Sequence, residues 1–148
     1  MAELARKLGI APGNSLWLID APAPSAALLR AACPPGVTVT ESEDAADAAQ
    51  RHDLIFLWPR SIDGLTERLA ALQWRIIPDG AIWLMLLKKP LARKRGITFT
   101  WEEMQAAALQ IDLVDNKVAS FSDEEYGTRF VIRRDRRHIY TPPVGGPR

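Results

Sequence analysis

The sequence predicts an α/β fold: a three-layer sandwich with a mostly parallel sheet, helices on both faces and a C-terminal antiparallel β-hairpin. Apolar runs with strand character alternate with stretches of helical periodicity up to about residue 111. After that point two β-rich runs, NKVASFS and GTRFVIRR, flank an acidic turn at Asp123–Tyr126. Because parallel strands are joined by right-handed crossovers, the alternation predicts helices on both faces of the sheet.

Local signals mark the elements of the first half. Leu4 and Leu8 lie four apart, and Gly9 is placed to end their helix. The continuous apolar run SLWLID is typical of a strand buried on both faces. Ser25 is the predicted N-cap of the next helix. The predicted elements are a helix over 2–8, strand 15–20, helix 25–33, strand 37–40 and an acidic, alanine-rich helix over 42–51.

The second half also contains clear helix, turn and capping signals. Ser61 is the predicted N-cap of a helix. The apolar residues that follow it, from Ile62 to Leu72, recur at helical spacing. Pro78–Gly80 reads as a turn, and Thr100 with Glu103 forms a capping box. The predicted elements are strand 54–58, a helix from Ser61 to about Arg75, strand 81–87, a basic loop over 88–96, a helix opening at Thr100 and the terminal hairpin.

Length and composition place limits on function. The 148 residues are one domain's worth, predicted over 1–139, with a Pro- and Gly-rich disordered tail over 140–148. One cysteine, Cys33, excludes an internal disulfide, and two histidines suggest no metal site. The N-terminus lacks a signal peptide's apolar core, and the longest apolar run, AIWLMLL, is far short of a membrane span. The expected location is the cytoplasm.

The order of elements over about residues 53–134 resembles the class I methyltransferase-like, Rossmann-like fold. The pieces that carry the resemblance are HDLIFLWP, SIDGLTERLAALQWR, IPDG, AIWLMLL, TWEEMQAAALQI, NKVASFS and TRFVIRR. In that fold a strand opening on Asp is followed by a helix, a turn, a strand, a helix and a terminal hairpin. The region before HDLIFLWP is shorter than in full methyltransferases, so the resemblance implies a truncated version that lacks one strand–helix unit.

A second resemblance spans nearly the whole chain. The stretches LARKLGIAPG, LIDAP, IPDGAIWLMLLKK and LVDNKVASFSDEEYG, with their spacing, resemble a family of small bacterial proteins defined only as a domain of unknown function. This resemblance implies the fold and no activity.

The predicted strand ends supply the candidate site, because open α/β sheets bind ligands beyond the carboxyl ends of their strands. Arginine and lysine there would supply positive charge for an anionic ligand, while an acid and a tryptophan would shape the pocket. The ligand-binding candidates are Asp20, Trp58, Arg60, Ser61, Lys88 and Lys89. The structural alternatives are an acid bonded to a helix N-terminus or to loop amides, a core or rim tryptophan, and a solvated arginine.

The sequence of the first loop does not fit a standard cofactor-binding loop. Glycine-rich loops let the backbone approach a cofactor and present free N–H groups to it. Here residues 20–25 read DAPAPS, with two prolines and no glycine. The second loop keeps only Pro59 of the polar-Pro-Pro-aromatic motif of amino-group methyltransferases. The sequence therefore predicts no cofactor and disfavours S-adenosylmethionine (SAM).

Charge is distributed unevenly. Residues 1–74 carry 6 Lys/Arg and 9 Asp/Glu, whereas residues 75–148 carry 13 and 9. The predicted basic loop adds Arg93, Lys94 and Arg95 to the two lysines before it. Such a cluster suits a phosphate or a nucleic-acid backbone, although a solvated basic face is the simpler interpretation. The acids at 102–103 and 123–125 are interpreted as capping and solvated-turn residues.

These observations favour a non-enzymatic binding or interaction module with a degenerate methyltransferase-like fold and an anionic small ligand or a protein partner. One alternative is a SAM-dependent methyltransferase with a non-standard cofactor loop. A second is a nucleic-acid-binding protein that uses the basic loop over 88–95, and a third is a homodimer paired through an edge strand of the hairpin.

Overall fold

The computed structural model describes residues 2–41 and 50–141. Its strands are β1 (Ser15–Ile19), β2 (Thr38–Thr40), β3 (His52–Leu57), β4 (Ile76–Leu87), β5 (Leu113–Ser120) and β6 (Glu125–Ile132). Its helices are α1 (Ala2–Leu8), α2 (Ala23–Ala32), α3 (Leu65–Leu72), α4 (Lys89–Lys94), α5 (Trp101–Ala108) and α6 (Arg137–Tyr140). Within this part of the chain, no helix is long and apolar enough to cross a membrane.

The strands form a six-stranded sheet in the order β2-β1-β3-β4-β6-β5. β1 pairs in parallel with β2 and β3, and β3 pairs in parallel with β4. β6 is antiparallel to both β4 and β5. The predicted fold class, a mostly parallel α/β sheet closed by an antiparallel hairpin, is confirmed.

The central strands β1, β3 and β4 are largely buried on both faces of the sheet. Successive residues of a strand point to opposite sides, and each side packs against helices. On one face, Ile55 and Ile82 pack in a cluster with Leu69 of α3 and Met104 of α5. On the other face, residues such as Phe56 and Trp83 pack with Leu8 of α1 and Leu29 of α2. This two-sided burial explains why the strands read as continuous apolar runs rather than as alternating ones.

The structure corrects both predicted serine caps. α2 begins at Ala23 with Pro22 as its N-cap, so Ser25 lies inside the first turn, and its buried hydroxyl bonds to the hairpin instead. α3 begins only after Gly64, whose φ of 71° is left-handed. The Ser61 hydroxyl accepts a hydrogen bond from the Asp63 N–H at 3.0 Å, a local turn that competes with capping.

Two predicted irregular segments have regular structure. Pro78–Gly80 belongs to β4, next to a register shift in the pairing with β3. A Cβ on Gly80 would lie only 2.7 Å from the backbone oxygen of Asp53, so glycine here serves close strand approach rather than a turn. The basic loop is largely the short helix α4, which has Pro90 in its first turn and Gly96 at φ 72° just after its end.

Other local predictions stand as follows. The capping box of α5 is confirmed: the Thr100 hydroxyl accepts from the Glu103 N–H, and the Glu103 carboxylate accepts from the Thr100 N–H. Of the acidic helix predicted over 42–51, residues 42–49 lie outside the described ranges, and Gln50 and Arg51 are not helical. Most of the predicted tail also lies outside the described ranges. However, Tyr140 at its start is buried against the Trp74 ring and donates to the Asp112 carboxylate at 2.6 Å.

His52 is fully buried at the start of β3. Its Nδ1 lies 2.8 Å from the Ser15 hydroxyl, and its Nε2 has no hydrogen-bond partner among the described residues. Burial, with a smaller contribution from the charge on Arg75, lowers the pKa of His52 below 6.5, while Asp53 opposes the shift. The folded protein therefore keeps this imidazole neutral.

This burial gives the chain an acid-sensitive stability. The stabilisation is fully present above the unfolded-state pKa of about 6.5 and is lost as the pH falls below it, with a slope of at most about 1.4 kcal/mol per pH unit. Urea unfolding at about pH 7.5 and about pH 5.5 should show a larger loss of stability for the natural chain than for His52→Gln. Identical pH dependence in both proteins would contradict the assignment to His52.

Candidate functional site

A crevice of about 820 Å³ opens at the carboxyl ends of the parallel strands. The segments after β1 and β3, the end of β4, the start of β6, α4 and the connection to α5 form its walls. Its volume lies within the range of about 300–1,000 Å³ that is typical of small-molecule sites. A smaller hollow of about 170 Å³ adjoins it beside α3 and shares Asp20, Pro59 and Arg60 with it.

The crevice lies where the strand order reverses. From β1 the chain crosses to β2 on one side, and then returns to β3 on the other side of β1. The loops after β1 and β3 therefore diverge to opposite faces of the sheet and leave a gap between them. Asp20 follows β1 and Trp58 follows β3, and both line the gap.

A buried carboxylate lies in the wall of the crevice. Glu125, the first residue of β6, is only 5% exposed. The Ser25 hydroxyl of α2 donates to its Oε1 at 2.5 Å, and the Trp58 indole N–H donates to its Oε2 at 3.1 Å. Within the described ranges no cation pairs with it. This acid joins three elements, and the described residues offer it hydrogen bonds but no positive partner.

Aromatic side chains form part of the apolar wall. Trp58 is buried and packs against Phe56 and Phe121, which fixes its orientation. The indole of Trp101 donates to the Thr128 hydroxyl at 2.8 Å and is thereby anchored to β6. The remaining aromatic lining residues are Phe99 and Tyr126. Burial, with help from the charge on Glu102, raises the pKa of Tyr126, so its hydroxyl stays protonated at neutral pH.

The first loop makes its turn without glycine. Asp20 itself adopts a φ of 60°, a left-handed conformation that Asp tolerates better than most residues. Its carboxylate accepts from the Arg68 guanidinium of α3 at 3.1 Å rather than from loop amides. The backbone reversal that glycine would provide is therefore achieved at Asp20, with an ion pair to hold it.

The other predicted ligand residues are only partly brought together. Arg60 and Lys89 line the crevice, whereas Ser61 lines only the adjoining hollow. Lys88 is not among the lining residues: its ammonium group donates to the Ser120 hydroxyl at 3.0 Å on β5. Of the predicted basic-loop residues, Arg93 and Arg95 line the crevice and Lys94 does not.

The C-terminal arginines lie at the ends of the strands that are away from the crevice. β6 starts at the crevice and runs antiparallel to β4 for eight residues, a length of about 25 Å. Most of the arginines that follow β6 are held locally: Arg133 lies 3.8 Å from Asp135, Arg136 donates to Asp112, and Arg137 donates to the Ile132 carbonyl. They do not extend the basic surface of α4.

The most informative site residue, Glu125, was missed by the sequence analysis, which interpreted it as part of a solvated acidic turn. The chain turns earlier, so Glu125 and Tyr126 belong to β6. The signal was the two-residue period of the strand, because counting back from Val131 through Gly127 places position 125 on the buried face towards α2.

The fold is similar to solved methyltransferase structures. A TehB-like SAM-dependent methyltransferase from Corynebacterium glutamicum matches with a TM-score of 0.60 at 12% identity, over 89% of this chain and 86% of that chain. N-methyltransferase NodS from Bradyrhizobium japonicum matches with a TM-score of 0.57 at 13% identity, over 90% and 94%. A SAM-dependent methyltransferase from Clostridium acetobutylicum matches with a TM-score of 0.55 at 9% identity, over 88% of each chain.

At these identities the likeness establishes a methyltransferase-like fold and nothing finer. No protein-family model and no curated protein sequence matches the chain, so the resemblance to the bacterial domain family stays a prediction.

The expectation of no cofactor, with SAM disfavoured, is contradicted by these neighbours, which are SAM-dependent methyltransferases. The glycine count was a poor guide because it considered only the first loop of the crevice. In the structure Asp20 makes the turn, and most of the crevice wall comes from β4, β6 and the residues around α4.

Proposed function

We propose that this chain binds SAM in the strand-end crevice and acts as a methyltransferase with a non-standard first loop. The observation that carries the proposal is the buried, cation-free carboxylate of Glu125 in an aromatic wall at the switch point of a methyltransferase-like sheet. This reading replaces the non-enzymatic module as the leading interpretation.

The crevice residues fit the chemistry of SAM. The molecule carries a positive sulfonium, an ammonium, a carboxylate and a flat purine. A carboxylate that lacks a protein cation is expected to attract a positive ligand group, and aromatic faces favour cations and stacked purines. Glu125 and Trp58 would contact the positively charged sulfonium or ammonium group, while Tyr126 and Phe99 would pack against the apolar parts of SAM.

The remaining contacts follow from the same placement. The segment after β1 leaves the N–H groups of Ala21 and Ala23 outside the first hydrogen bond of α2, which runs from Ala26 to the Pro22 carbonyl. These N–H groups would donate fewer hydrogen bonds to a ligand than those of a glycine-rich loop, so the Glu125 wall carries more of the recognition. When bound, SAM supplies an electrophilic methyl group, and the chain's role is to orient it and to exclude water.

Titration calorimetry with SAM and with its demethylated product tests the proposal. A one-site isotherm at micromolar affinity is expected for both ligands, and much weaker binding is expected for adenosine, a control that shares the purine and ribose but lacks the charged groups. The absence of heat up to about 1 mM ligand, where binding would be weaker than about 4 kcal/mol, would contradict it.

The tryptophan in the wall offers a matched pair of variants. Trp58→Phe keeps an aromatic face but removes the indole N–H bond to Glu125, whereas Trp74→Phe changes a tryptophan distant from the crevice. We expect the first change to weaken SAM binding by about 3- to 30-fold and the second to leave it within about twofold. Equal affinities in the two variants would remove Trp58 from the site.

A further inference from the structure

Several exposed cations contribute to the lining of the crevice. Four cations line it: Arg60, Lys89, Arg93 and Arg95. Arg95 has only a long contact of 3.8 Å with Glu124. The side chains of the other three are exposed and make no hydrogen bond or ion pair with any described residue. They contrast with Asp20, another lining residue, whose carboxylate is already paired with Arg68.

Two of these cations lie on the same face of α4, which lines the crevice. Lys89 and Arg93 are four residues apart on α4 and share one face, on which Ala92 also lines the crevice. Lys94 is on another face and is not among the lining residues. The helix is fixed at both ends by Pro90 and by the left-handed Gly96, so the pair is presented by regular structure.

We propose that Arg60 and the crevice-facing side of α4 bind the anionic group, a carboxylate or phosphate, of a small methyl acceptor. The proposal rests on the proposed function and names the substrate class for the same crevice. The crevice then has two electrostatic parts: the Glu125 wall for the positive cofactor and the α4 wall for a negative acceptor. Guanidinium and ammonium groups that lack protein partners can each donate to carboxylate or phosphate oxygens.

The geometry favours a small anion over a nucleic acid. The cations surround a concave space of about 820 Å³ rather than forming a stripe along the surface. A nucleic-acid backbone would need phosphate contacts spread over an extended basic track. The arginines after β6 do not extend such a track, because they lie at the end of the strand away from the crevice and most of them bond within the chain.

Two triple variants with the same loss of charge test the proposal. The crevice triple is Arg60→Gln, Lys89→Gln and Arg93→Gln. The control triple is Arg6→Gln, Lys94→Gln and Arg134→Gln, which are exposed residues outside the crevice. Calorimetry measures the binding of inorganic pyrophosphate and of succinate to each full chain, with the demethylated product of SAM present. A twelve-residue oligothymidylate is titrated in parallel.

We expect saturable binding of pyrophosphate or succinate, weakened about tenfold or more in the crevice triple and less than about twofold in the control triple. The inference is overturned if neither anion binds, or if both triples weaken binding equally, since that would be a net-charge effect. Oligothymidylate binding with steep salt dependence and equal sensitivity to both triples would overturn it in favour of nucleic acid.

The cofactor titration keeps the two proposals separate. If SAM binds to both triples while neither anion binds to the natural chain, the substrate class is wrong and the proposed function stands. If pyrophosphate or succinate binds with the expected pattern and SAM does not bind, the basic wall is an anion site and the methyltransferase proposal fails.

Discussion

Replacing Glu125 by glutamine is expected to weaken SAM binding by about 10- to 100-fold while the fold is retained. Glutamine has the same shape, and its amide can satisfy both neighbours. The Trp58 N–H donates to the remaining oxygen, and the Ser25 hydroxyl turns to accept from the new NH₂ group. Only the negative charge is lost, so the change isolates the attraction between this wall and a positive ligand. Calorimetry of SAM binding measures it.

The adjacent residue provides a matched control. Glu124→Gln removes the same charge one position earlier, from an exposed side chain that does not line the crevice. It should change the affinity for SAM by less than about twofold. Urea unfolding should place both variants within about 1 kcal/mol of the natural chain. If the two variants bind SAM equally well, Glu125 has no electrostatic role in the crevice.

Trp83→Ala is expected to lower the free energy of unfolding by about 3–5 kcal/mol, the largest effect on stability. Trp83 is fully buried on β4, lies parallel to Phe56 at a centroid distance of 6.2 Å and donates to the Leu8 carbonyl of α1 at 3.1 Å. A Cβ on Gly127 would lie 2.8 Å from its ring. Truncation would leave a large cavity and an unsatisfied carbonyl. Urea denaturation measures the loss.

A loss of that size approaches the total stability of many domains, so Trp83→Ala could fail to fold. Two further variants test the prediction in that case. Trp83→Phe retains a ring and should cost about 1–2 kcal/mol through the lost indole bond and a smaller void. Trp74→Ala, at a ring that is 46% exposed, should cost about 1–2 kcal/mol. If Trp83→Ala destabilises no more than Trp74→Ala, the packing of β4 against α1 is misassigned.

The fold was accessible from the sequence because its strands are buried on both faces. SLWLI and AIWLMLL are continuous apolar runs, and strong punctuation separates them from helices of clear period. The capping box at Thr100 was also readable, because both of its hydrogen bonds are local.

Non-local contacts explain the errors. Ser25 could not be excluded as a cap from its neighbours alone, because its true partner, Glu125, is 100 residues away. Pro78–Gly80 has turn chemistry, yet the approach of β3 at Asp53 keeps it in a strand. In both cases tertiary structure overrides a correct local preference.

The candidate site was predictable in outline only. The switch-point rule places Asp20 and Trp58 together, and the structure lines one crevice with both. The Glu125 wall comes from the hairpin, whose antiparallel return to the crevice depends on strand order and not on any local motif. Lys88 also directly follows a strand, β4, so the rule predicts it in the site, but its ammonium group donates to Ser120 on β5 instead.

The indole N–H signals of the five tryptophans provide the most direct test of the central claim, that SAM binds in this crevice. Trp58 and Trp101 line it, whereas Trp17 and Trp74 do not. In a heteronuclear NMR titration with SAM, assigned through single Trp→Phe variants, we expect the signals of Trp58 and Trp101 to move saturably while those of Trp17 and Trp74 stay in place. Unmoved signals for Trp58 and Trp101 at millimolar SAM, or movement confined to Trp17 and Trp74, would contradict the claim.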